Sequence, residues 1–369
     1  MQNSMNNSSS NAKPVLIFPA GMPRSLEYLE RCLRTGQDVI GSSSLAYDVA
    51  KSRYPDWAHL PYITDPAFSD ALVTLINQYK VGAIYTPNVV AWSYLNRMLP
   101  VIAPDVPLVN ASPISEEVSG YKAATRRGLQ MLEKPLSLAS SVKQLPCASE
   151  LELSTLFRHA TIIPGMCDDE KIGALCEIAR HSVAGDIVEI GSAYGKSAFV
   201  LARLAQLHHT GPLLCVDPWQ SEFTVQHDAA GLLDSLVNEF DNDEILRVFE
   251  MSLLPYSNGK INYLRLPSTE AVRHYATERD VTTSAFGTTT YCGQIAILHI
   301  DGNHSYEAAR ADVDAWSGHV LPGGWIVIDD YVWPYGDGPQ RVGDEFLNEN
   351  KHRLSCAFVM GTALFLQLH

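Results

Sequence analysis

The amino-acid sequence predicts an α/β fold in two parts: a large C-terminal domain with a doubly wound, mostly parallel sheet, and a smaller open α/β domain before it. Three observations lead to this prediction. The 369 residues exceed the usual size of one hydrophobic core. Apolar, strand-like runs alternate with helical patterns along the chain, as in βαβ units. In the C-terminal half, two apolar runs each end in aspartate, which is typical of buried parallel strands that border a ligand crevice.

Composition and charge restrict the class of protein. Hydrophobic residues make up 46% and charged residues 18% of the chain, as in folded globular proteins. A net charge of -14 and the lack of a Lys/Arg block argue against nucleic acid or an anionic membrane as a partner. No stretch approaches the ~20 apolar residues of a membrane span. The seven cysteines include no C-x-x-C pair, which predicts free thiols in a cytoplasmic protein.

Four segments are expected along the chain. They are a disordered Asn/Ser-rich tail over 1–12, a small α/β domain over 13–112, a helical connecting segment over 113–150 and the larger α/β domain over 151–369. In the small domain, the strand-like Val15–Phe18, Val81–Tyr85 and Val106–Val109 alternate with helical patterns. Gly21 follows the first strand, but without a G-x-G-x-x-G pattern the fingerprint of a dinucleotide site is missing.

The small domain resembles the domain that precedes the ATP-grasp module in ATP-grasp ligases. Val15–Gly21 and Val81–Pro87 carry this resemblance. No ATP-grasp module follows these residues in the sequence, so the resemblance does not imply ligase chemistry. It implies a scaffold or a substrate-side domain rather than a second active site.

A glycine-bearing turn follows the first strand-like run of the larger domain. Asp186–Ile190 leads to Gly191 and Gly195, and a helical pattern follows. Glycine lets the backbone approach a ligand closely, although a tight turn alone also favours it. The next strand-like run, Leu213–Val216, ends in Asp217. A carboxylate at this place can hold a ribose diol through two charge-assisted hydrogen bonds.

The two aspartate-terminated strands carry a second constellation. Asp301 and His304 follow the first strand in D-x-x-H spacing, and Asp329 and Asp330 follow the second. Taken singly, each has a plain structural explanation: a turn, a solvated loop start or a helix cap. Taken together on neighbouring strands, the three carboxylates would repel one another unless a cation lay among them. Ligation by oxygen atoms favours a hard ion such as Mg²⁺.

Together these motifs resemble those of class I S-adenosylmethionine-dependent methyltransferases, which have a Rossmann-like domain. The interval from Asp301 to Asp329 sharpens this resemblance to metal-dependent sugar O-methyltransferases of the macrocin type, and more distantly to catechol O-methyltransferases. With the cofactor motifs, the resemblance extends from Ile163 to Phe346. The resemblance implies a cofactor site made by Glu189, Gly191, Ser192 and Gly195, with Asp217 on the ribose and Trp219 and Ser268 at the adenine. It implies that Asp301, Asp329 and Asp330 hold the metal ion, and that His304 is the catalytic histidine.

The predicted function is Mg²⁺-dependent O-methylation of a small molecule, a sugar or another natural-product intermediate. His304 is expected to take the proton of the acceptor hydroxyl, with Asp301 as the reserve base. Two alternatives stay open: a metal-independent N-methyltransferase, and a non-catalytic methyltransferase-like module that serves binding or assembly. The sequence does not name the acceptor, and it leaves the oligomeric state open, a homo-oligomer included.

Two further predictions concern side chains near these motifs. His299, inside an apolar strand, is interpreted as a core histidine whose hydrogen bonds are satisfied. Tyr331, Trp333 and Tyr335 form either an aromatic wall for the substrate or ordinary loop packing.

Overall fold

The computed structural model describes residues 12–226, 231, 234–235 and 239–369. The chain divides into two compact units, Met1–Gly120 and Tyr121–His369. The division falls within a long helix, α4 (Pro113–Glu133), in the segment predicted to connect the two domains. The predicted disordered tail over 1–12 lies outside the described residues except for Ala12.

The first unit is a four-stranded parallel sheet in the order β3-β2-β1-β4. Its elements are β1 (Val15–Ile17), α1 (Pro23–Thr35), β2 (Val39–Ser43), β3 (Asp56–His59), α2 (Phe68–Tyr79), β4 (Ala83–Tyr85) and α3 (Val89–Ile102). The sequence pattern missed β3, because this edge strand is polar and mostly accessible. The strand expected over Val106–Val109 is reduced to a single bridge between Ile84 and Leu108.

The second unit contains a seven-stranded sheet and a separate two-stranded sheet. Its described helices are α4, α5 (Glu150–Ala160), α6 (Asp169–Arg180), α7 (Lys196–His208), α8 (Ser221–Thr224), α9 (Asn242–Leu253), α10 (Ser268–Thr277), α11 (Tyr306–Trp316) and α12 (Gly338–Asn350). Its strands are β5 (Asp186–Ile190), β6 (Leu213–Val216), β7 (Ile261–Leu264), β8 (Asp280–Thr283), β9 (Gly287–Thr290), β10 (Ile295–Ile300), β11 (Val320–Ile328), β12 (Leu354–Met360) and β13 (Ala363–Leu368).

The large sheet is doubly wound, which confirms the predicted fold class. Its order is β12-β13-β11-β10-β5-β6-β7. The five neighbouring strands β11, β10, β5, β6 and β7 are parallel. β13 pairs antiparallel with both β11 and β12. The chain moves from β5 outward to β7 and then returns to β10 on the other side of β5. The carboxyl ends of β5 and β10 therefore border the topological switch point, where sheets of this kind bind ligands.

Alternating side chains divide the large sheet into two packed faces. Ile187, Ile297 and Val327 belong to one core cluster, which includes residues of α6 and α7. Val188, Leu298 and their neighbours belong to a second cluster with residues of α10, α11 and α12. Because the period of a strand is two, Glu189 and His299 lie on the α6 side of the sheet. None of the helices in the described part of the chain has both the length and the apolar character needed to cross a bilayer.

Candidate active site

Backbone hydrogen bonds align the predicted site residues along the carboxyl edge of the large sheet. Each of four residues that follow a strand donates its amide to the last carbonyl of the neighbouring strand. The bonds run from Asp217 to Leu264 (3.2 Å), from Gly191 to Val216 (2.8 Å), from Asp301 to Ile190 (2.8 Å) and from Asp329 to Ile300 (2.8 Å). Neighbouring strands lie about 4.8 Å apart. The sheet therefore brings the two constellations side by side.

Gly191 and Gly195 shape the turn between β5 and α7. Both have positive φ, 81° and 88°, a region that favours glycine. A Cβ on Gly191 would lie 1.9 Å from the carbonyl oxygen of Asp301, and one on Gly195 would lie 2.9 Å from the ring of Phe249. Gly191 is thus required for the close approach of this loop to the loop that carries Asp301.

Asp217 supports the glycine loop from the end of β6. Its Oδ2 accepts the amide of Ala193 at 2.9 Å, and its Oδ1 accepts the amide of Trp219 at 2.7 Å. Burial raises the pKa of Asp217, while these backbone hydrogen bonds oppose the rise. Each carboxylate oxygen has further acceptor capacity, so the side chain can still bind a diol.

Trp219 lies beneath the same loop rather than on its surface. It is 2% exposed, and its indole N–H donates to the carbonyl of Ala193 at 3.1 Å. Its ring contacts Phe249 and Tyr263, with centroids 5.0 and 5.4 Å away. In this structure Trp219 supports the loop by packing between it and the rings of Phe249 and Tyr263. An open depression of about 490 Å³ begins beside it and is also lined by Arg265.

Glu189, in β5, and Ser192, in the loop that follows it, are both buried. Glu189 is fully buried, and its Oε1 is 3.2 Å from Nδ1 of His299 on the neighbouring strand. Ser192 is 3% exposed, and its hydroxyl has no hydrogen-bond partner among the described residues. A buried hydroxyl without a partner in a glycine loop fits a polar group of a bound cofactor. Glu189 instead acts on the site through His299.

Ser268 begins α10 and takes part in a buried network. Its hydroxyl accepts the indole N–H of Trp316 at 2.9 Å and hydrogen-bonds to Asp312. Burial raises the pKa of Asp312 to about 6, and the bond with Ser268 opposes this rise. Asp312 also lies near the site, because a Cβ on Gly302 would be 3.0 Å from its Oδ2. Ser268 thus joins the start of α10 to α11 through this network.

A buried lysine contacts two of the three predicted metal ligands. Lys171, from α6, is 1% exposed, and its ammonium is hydrogen-bonded to Oδ2 of Asp329. It lies 3.8 Å from Oδ2 of Asp301. Burial lowers the pKa of Lys171, but the charges of Asp301 and Asp329 outweigh burial and raise it. The lysine is therefore a permanent internal cation.

The pKa values of the two carboxylates shift in opposite directions, although Lys171 lowers both. Burial raises the pKa of Asp329, but Lys171 and His299 outweigh burial and hold it well below its usual range. Burial and the charge of Asp329 raise the pKa of Asp301, which Lys171 opposes from a longer distance. Nε2 of His299 lies 3.6 Å from Oδ2 of Asp329. His299 thus lies between Glu189 and Asp329. Its Nε2 has no hydrogen-bond partner among the described residues, so the prediction of a core histidine with satisfied hydrogen bonds is wrong.

His304 and Asp330 form a pair at the more open side of the cluster. Nε2 of His304 is 2.9 Å from Oδ2 of Asp330 and 4.0 Å from Oδ1 of Asp301. Burial lowers the pKa of His304, but Asp301 and Asp330 together raise it to about 9. Asp330 has a φ of +50°, which separates its side chain from that of Asp329. His304 and Asp330 each keep 14% of the side chain exposed, and Asp301 keeps 25%.

The predicted metal ligands fall into two groups of potential ligand atoms that share Asp301. Among the described residues, one group contains His299, Asp301 and Asp329, and the other contains Asp301, His304 and Asp330. Within each group the ligand atoms lie within 4.8 Å of one another. The outer group, Asp301-His304-Asp330, presents partly exposed carboxylates and fits a divalent ion. In the other group, His299-Asp301-Asp329, which we call the inner group, Lys171 already neutralises the charge of Asp329.

Aromatic and amide side chains border the outer group. The ring of Trp333 lies 4.6 Å from that of His304 and 5.1 Å from that of Tyr335. Gln226 Nε2 lies 3.2 Å from Nδ1 of His304. Tyr331 points elsewhere, since its hydroxyl donates to Asp344 on α12. Of the three predicted wall residues, Trp333 thus lies beside the histidine, and Tyr335 packs against Trp333.

Sequence patterns missed Lys171 and the packing of Gly338. Lys171 follows the N-cap Asp168 in the first turn of an amphipathic helix, where lysine normally lies in solvent. Its proximity to Asp329, 158 residues later, is a tertiary contact. Gly338 begins α12, and a Cβ there would lie 2.2 Å from the carbonyl oxygen of His304. Glycine is therefore needed where α12 approaches the loop that carries His304.

Comparison with known proteins identifies the second unit. Residues 188–331 match the model of a family described as a methyltransferase domain. No curated protein sequence matches the chain. This match spans both constellations, from β5 to the loop after β11.

The chain resembles solved structures at low identity, three of which are NovP, CalS11 and MycE. The O-methyltransferase NovP is 16% identical, with a TM-score of 0.37, and the match covers 60% of this chain and 81% of that one. Apo CalS11, a TDP-rhamnose 3'-O-methyltransferase of calicheamicin biosynthesis, is 17% identical, with a TM-score of 0.36 and coverage of 70% and 96%. MycE in complex with Mg, SAH and mycinamycin VI is 16% identical, with a TM-score of 0.37 and coverage of 71% and 63%.

Proposed function

Because this chain carries a class I methyltransferase domain, as the sequence predicted, we propose that it is an S-adenosylmethionine-dependent, Mg²⁺-dependent O-methyltransferase of a small molecule. The observation that carries this proposal is the position of the Asp301-His304-Asp330 group beside the glycine loop, with Gly191 against the backbone of Asp301. A proton acceptor and the cofactor loop thus occupy neighbouring places on one sheet edge.

The cofactor would lie on the loop between β5 and α7. Gly191 and Gly195 leave room for it, the unpaired hydroxyl of Ser192 can bind it, and Asp217 can accept hydrogen bonds from its ribose. Its sulfonium methyl group is already activated for transfer. The chain therefore has to remove a proton from the acceptor and align the acceptor oxygen.

His304 is the proposed general base, and it would act in its neutral form. Burial lowers its pKa, but Asp301 and Asp330 raise it to about 9, so a cation bound to these carboxylates would favour the neutral ring by offsetting their charge. His304 lies in the outer group, and its partner Asp330 holds the ring in place through the 2.9 Å contact. Asp301 is the reserve base, 4.0 Å from the same imidazole nitrogen. The Trp333 and Tyr335 rings can pack against a sugar or ring-bearing acceptor. A sugar or natural-product hydroxyl is therefore the acceptor class that we propose.

A divalent ion would be held by the carboxylates of Asp301 and Asp330. Such an ion supplies positive charge that lowers the pKa of an acceptor hydroxyl and orients its oxygen. A second candidate function, metal-independent transfer, is favoured by one observation: Lys171 already places a cation between Asp301 and Asp329. In that case the His304-Asp330 pair would act alone.

The proposal is tested by cofactor turnover over a panel of sugars, phenols and amines, with Mg²⁺ and with chelator. A hydroxyl substrate should react, and chelator should abolish turnover. His304→Ala should lower turnover by ~10²- to 10⁴-fold, the usual loss for a positioned general base, while cofactor binding stays intact. His274→Ala, in α10, is the matched control and should leave turnover unchanged.

Three outcomes would count against parts of this proposal. Full activity in chelator would select metal-independent transfer. Reaction of amines alone would select N-methylation. Unchanged turnover of His304→Ala would move the role of base to Asp301.

We also keep three wider expectations as proposals. The free state of all seven cysteines supports a reducing, cytoplasmic location. The net charge of -14 supports a small molecule rather than nucleic acid as the partner. The first unit, with its sheet of four short parallel strands, is proposed as a scaffold or substrate-side domain.

A further inference from the structure

We infer that Lys171 is a positioning residue that serves as the built-in cation of the inner group, so that Asp329 binds the lysine and is not a ligand of the divalent ion. The inference concerns the arrangement of charges and goes beyond the proposed function. The inference rests on the proposed function in one respect, which is that a divalent ion binds at the outer group. It also departs from the metal set that the sequence resemblance implied, in which Asp329 was a ligand.

The first support is the set of partners that already bind the Asp329 carboxylate. Its Oδ1 accepts the amide of Asp330 at 2.9 Å and the hydroxyl of Thr362 at 3.2 Å. Its Oδ2 accepts the Lys171 ammonium and lies 3.6 Å from His299. The side chain is 2% exposed. A divalent ion on Oδ2 would lie beside the ammonium, and the two positive charges would repel each other.

The second support is the burial of the lysine itself. The side chain of Lys171 is 2% exposed, and the inner group is the place where its charge is compensated. A buried ammonium without a carboxylate partner is strongly destabilising, so separation of Lys171 from Asp329 inside the folded protein is unfavourable. Lys171 is anchored as well, since its backbone amide donates to the N-cap Asp168 at 2.7 Å.

The third support is the different exposure of the two groups. Asp301 and Asp330 keep a quarter and a seventh of their side chains exposed, whereas Asp329 and His299 are closed off. An ion that keeps several waters, as Mg²⁺ usually does, needs an accessible group. The outer group meets this requirement. In the inner group the Lys171 ammonium takes the place that an ion and its waters would need, and this place opens only when the ammonium is removed.

The inference is tested by counting bound Mn²⁺ per chain by electron paramagnetic resonance, on the full chain without substrate. Lys171→Met removes the ammonium and keeps the length of the side chain. It should bind one more Mn²⁺ than wild type, at His299, Asp301 and Asp329. Lys171→Arg keeps the charge and should bind the same number as wild type. The double variant Lys171→Met, Asp329→Asn should not gain the extra ion.

The double variant also keeps the test decisive if Lys171→Met does not fold. It removes both charges of the buried pair, a change that proteins often tolerate. Its Mn²⁺ affinity at the outer group should equal that of wild type, whereas Asp330→Asn should weaken it by ~10-fold or more. Loss of the wild-type ion in the double variant would make Asp329 a ligand and overturn the inference.

Two further results have a defined meaning. A folded Lys171→Met that binds no more Mn²⁺ than wild type would also overturn the inference. If wild type binds no Mn²⁺ at all, Mg²⁺ dependence fails, but a gain of one ion in Lys171→Met would still support the role of the lysine. The two failures are therefore distinguishable.

Discussion

Asp217, at the end of β6, holds the glycine loop through the amides of Ala193 and Trp219. Its proposed second role is to bind the ribose of the cofactor. Asp217→Ala should weaken binding of S-adenosylhomocysteine by ~1.5 to 3 kcal/mol, the usual loss of hydrogen bonds to a charged acceptor. Calorimetry well below the unfolding temperature measures this, with the exposed Asp314→Ala as control. Unchanged affinity would remove Asp217 from the ribose site.

Asp312 should make the stability of the protein depend on pH. Burial raises its pKa from 3.8 to about 6. The folded state therefore binds this proton more tightly than the unfolded state does, and the resulting stability is fully present below about pH 4 and lost as pH rises through 6. Asp312→Asn should stabilise the protein at pH 8, by at most ~3 kcal/mol for a shift of about two units.

Urea unfolding at pH 5 and pH 8 measures this effect. The gain from Asp312→Asn should shrink as the pH falls, because protonated aspartate carries no buried charge. Asp314→Asn, two residues further along α11, is exposed and should show no such change. An equal effect of Asp312→Asn at both pH values would contradict the prediction.

At the scale of elements, the turn between β5 and α7 is set by contact with the loop after β10. Gly191→Ala would place a Cβ 1.9 Å from the Asp301 carbonyl oxygen at a φ of +81°. We expect a loss of ~1 to 3 kcal/mol or more in unfolding free energy and loss of cofactor binding. Gly173→Ala in α6 is the matched control, since its Cβ would meet nothing within 4 Å.

The control variant Gly173→Ala should change the unfolding free energy in the opposite direction. Alanine in a helix interior is favoured over glycine by ~0.5 to 1 kcal/mol, so Gly173→Ala should be slightly more stable than wild type. Denaturant unfolding and calorimetry with S-adenosylhomocysteine measure both variants. Normal stability and binding of Gly191→Ala would show that the two loops can separate.

At the scale of the whole molecule, the second unit should bind the cofactor without the first. All the predicted site residues lie within Tyr121–His369, and both core clusters of the large sheet belong to that unit. A chain of residues 121–369 should bind S-adenosylhomocysteine with the affinity of the full chain, as measured by calorimetry. A folded fragment with weaker binding would assign part of the site to the first unit.

The sequence by itself determined the parts of the protein that depend on local periodicity and on the ends of strands. The alternation of apolar runs predicted the doubly wound sheet, and aspartates after two such runs predicted carboxylates at one edge. Parallel strands end at the same edge, so the positions of Asp217, Asp301 and Asp329 follow from the strand pattern alone. The resemblance carried by the same motifs predicted a methyltransferase domain, and residues 188–331 match a family model of that description.

Only the tertiary structure decided how the charges at that edge are paired. Lys171 occupies an ordinary helical position in the sequence, and Asp329 and Asp330 are adjacent, so no local pattern separates their roles. In the fold, α6 brings Lys171 to Asp329, while the positive φ of Asp330 brings its carboxylate to His304. Charge pairing depends on distances between segments far apart in the chain, and periodicity along one segment does not contain those distances.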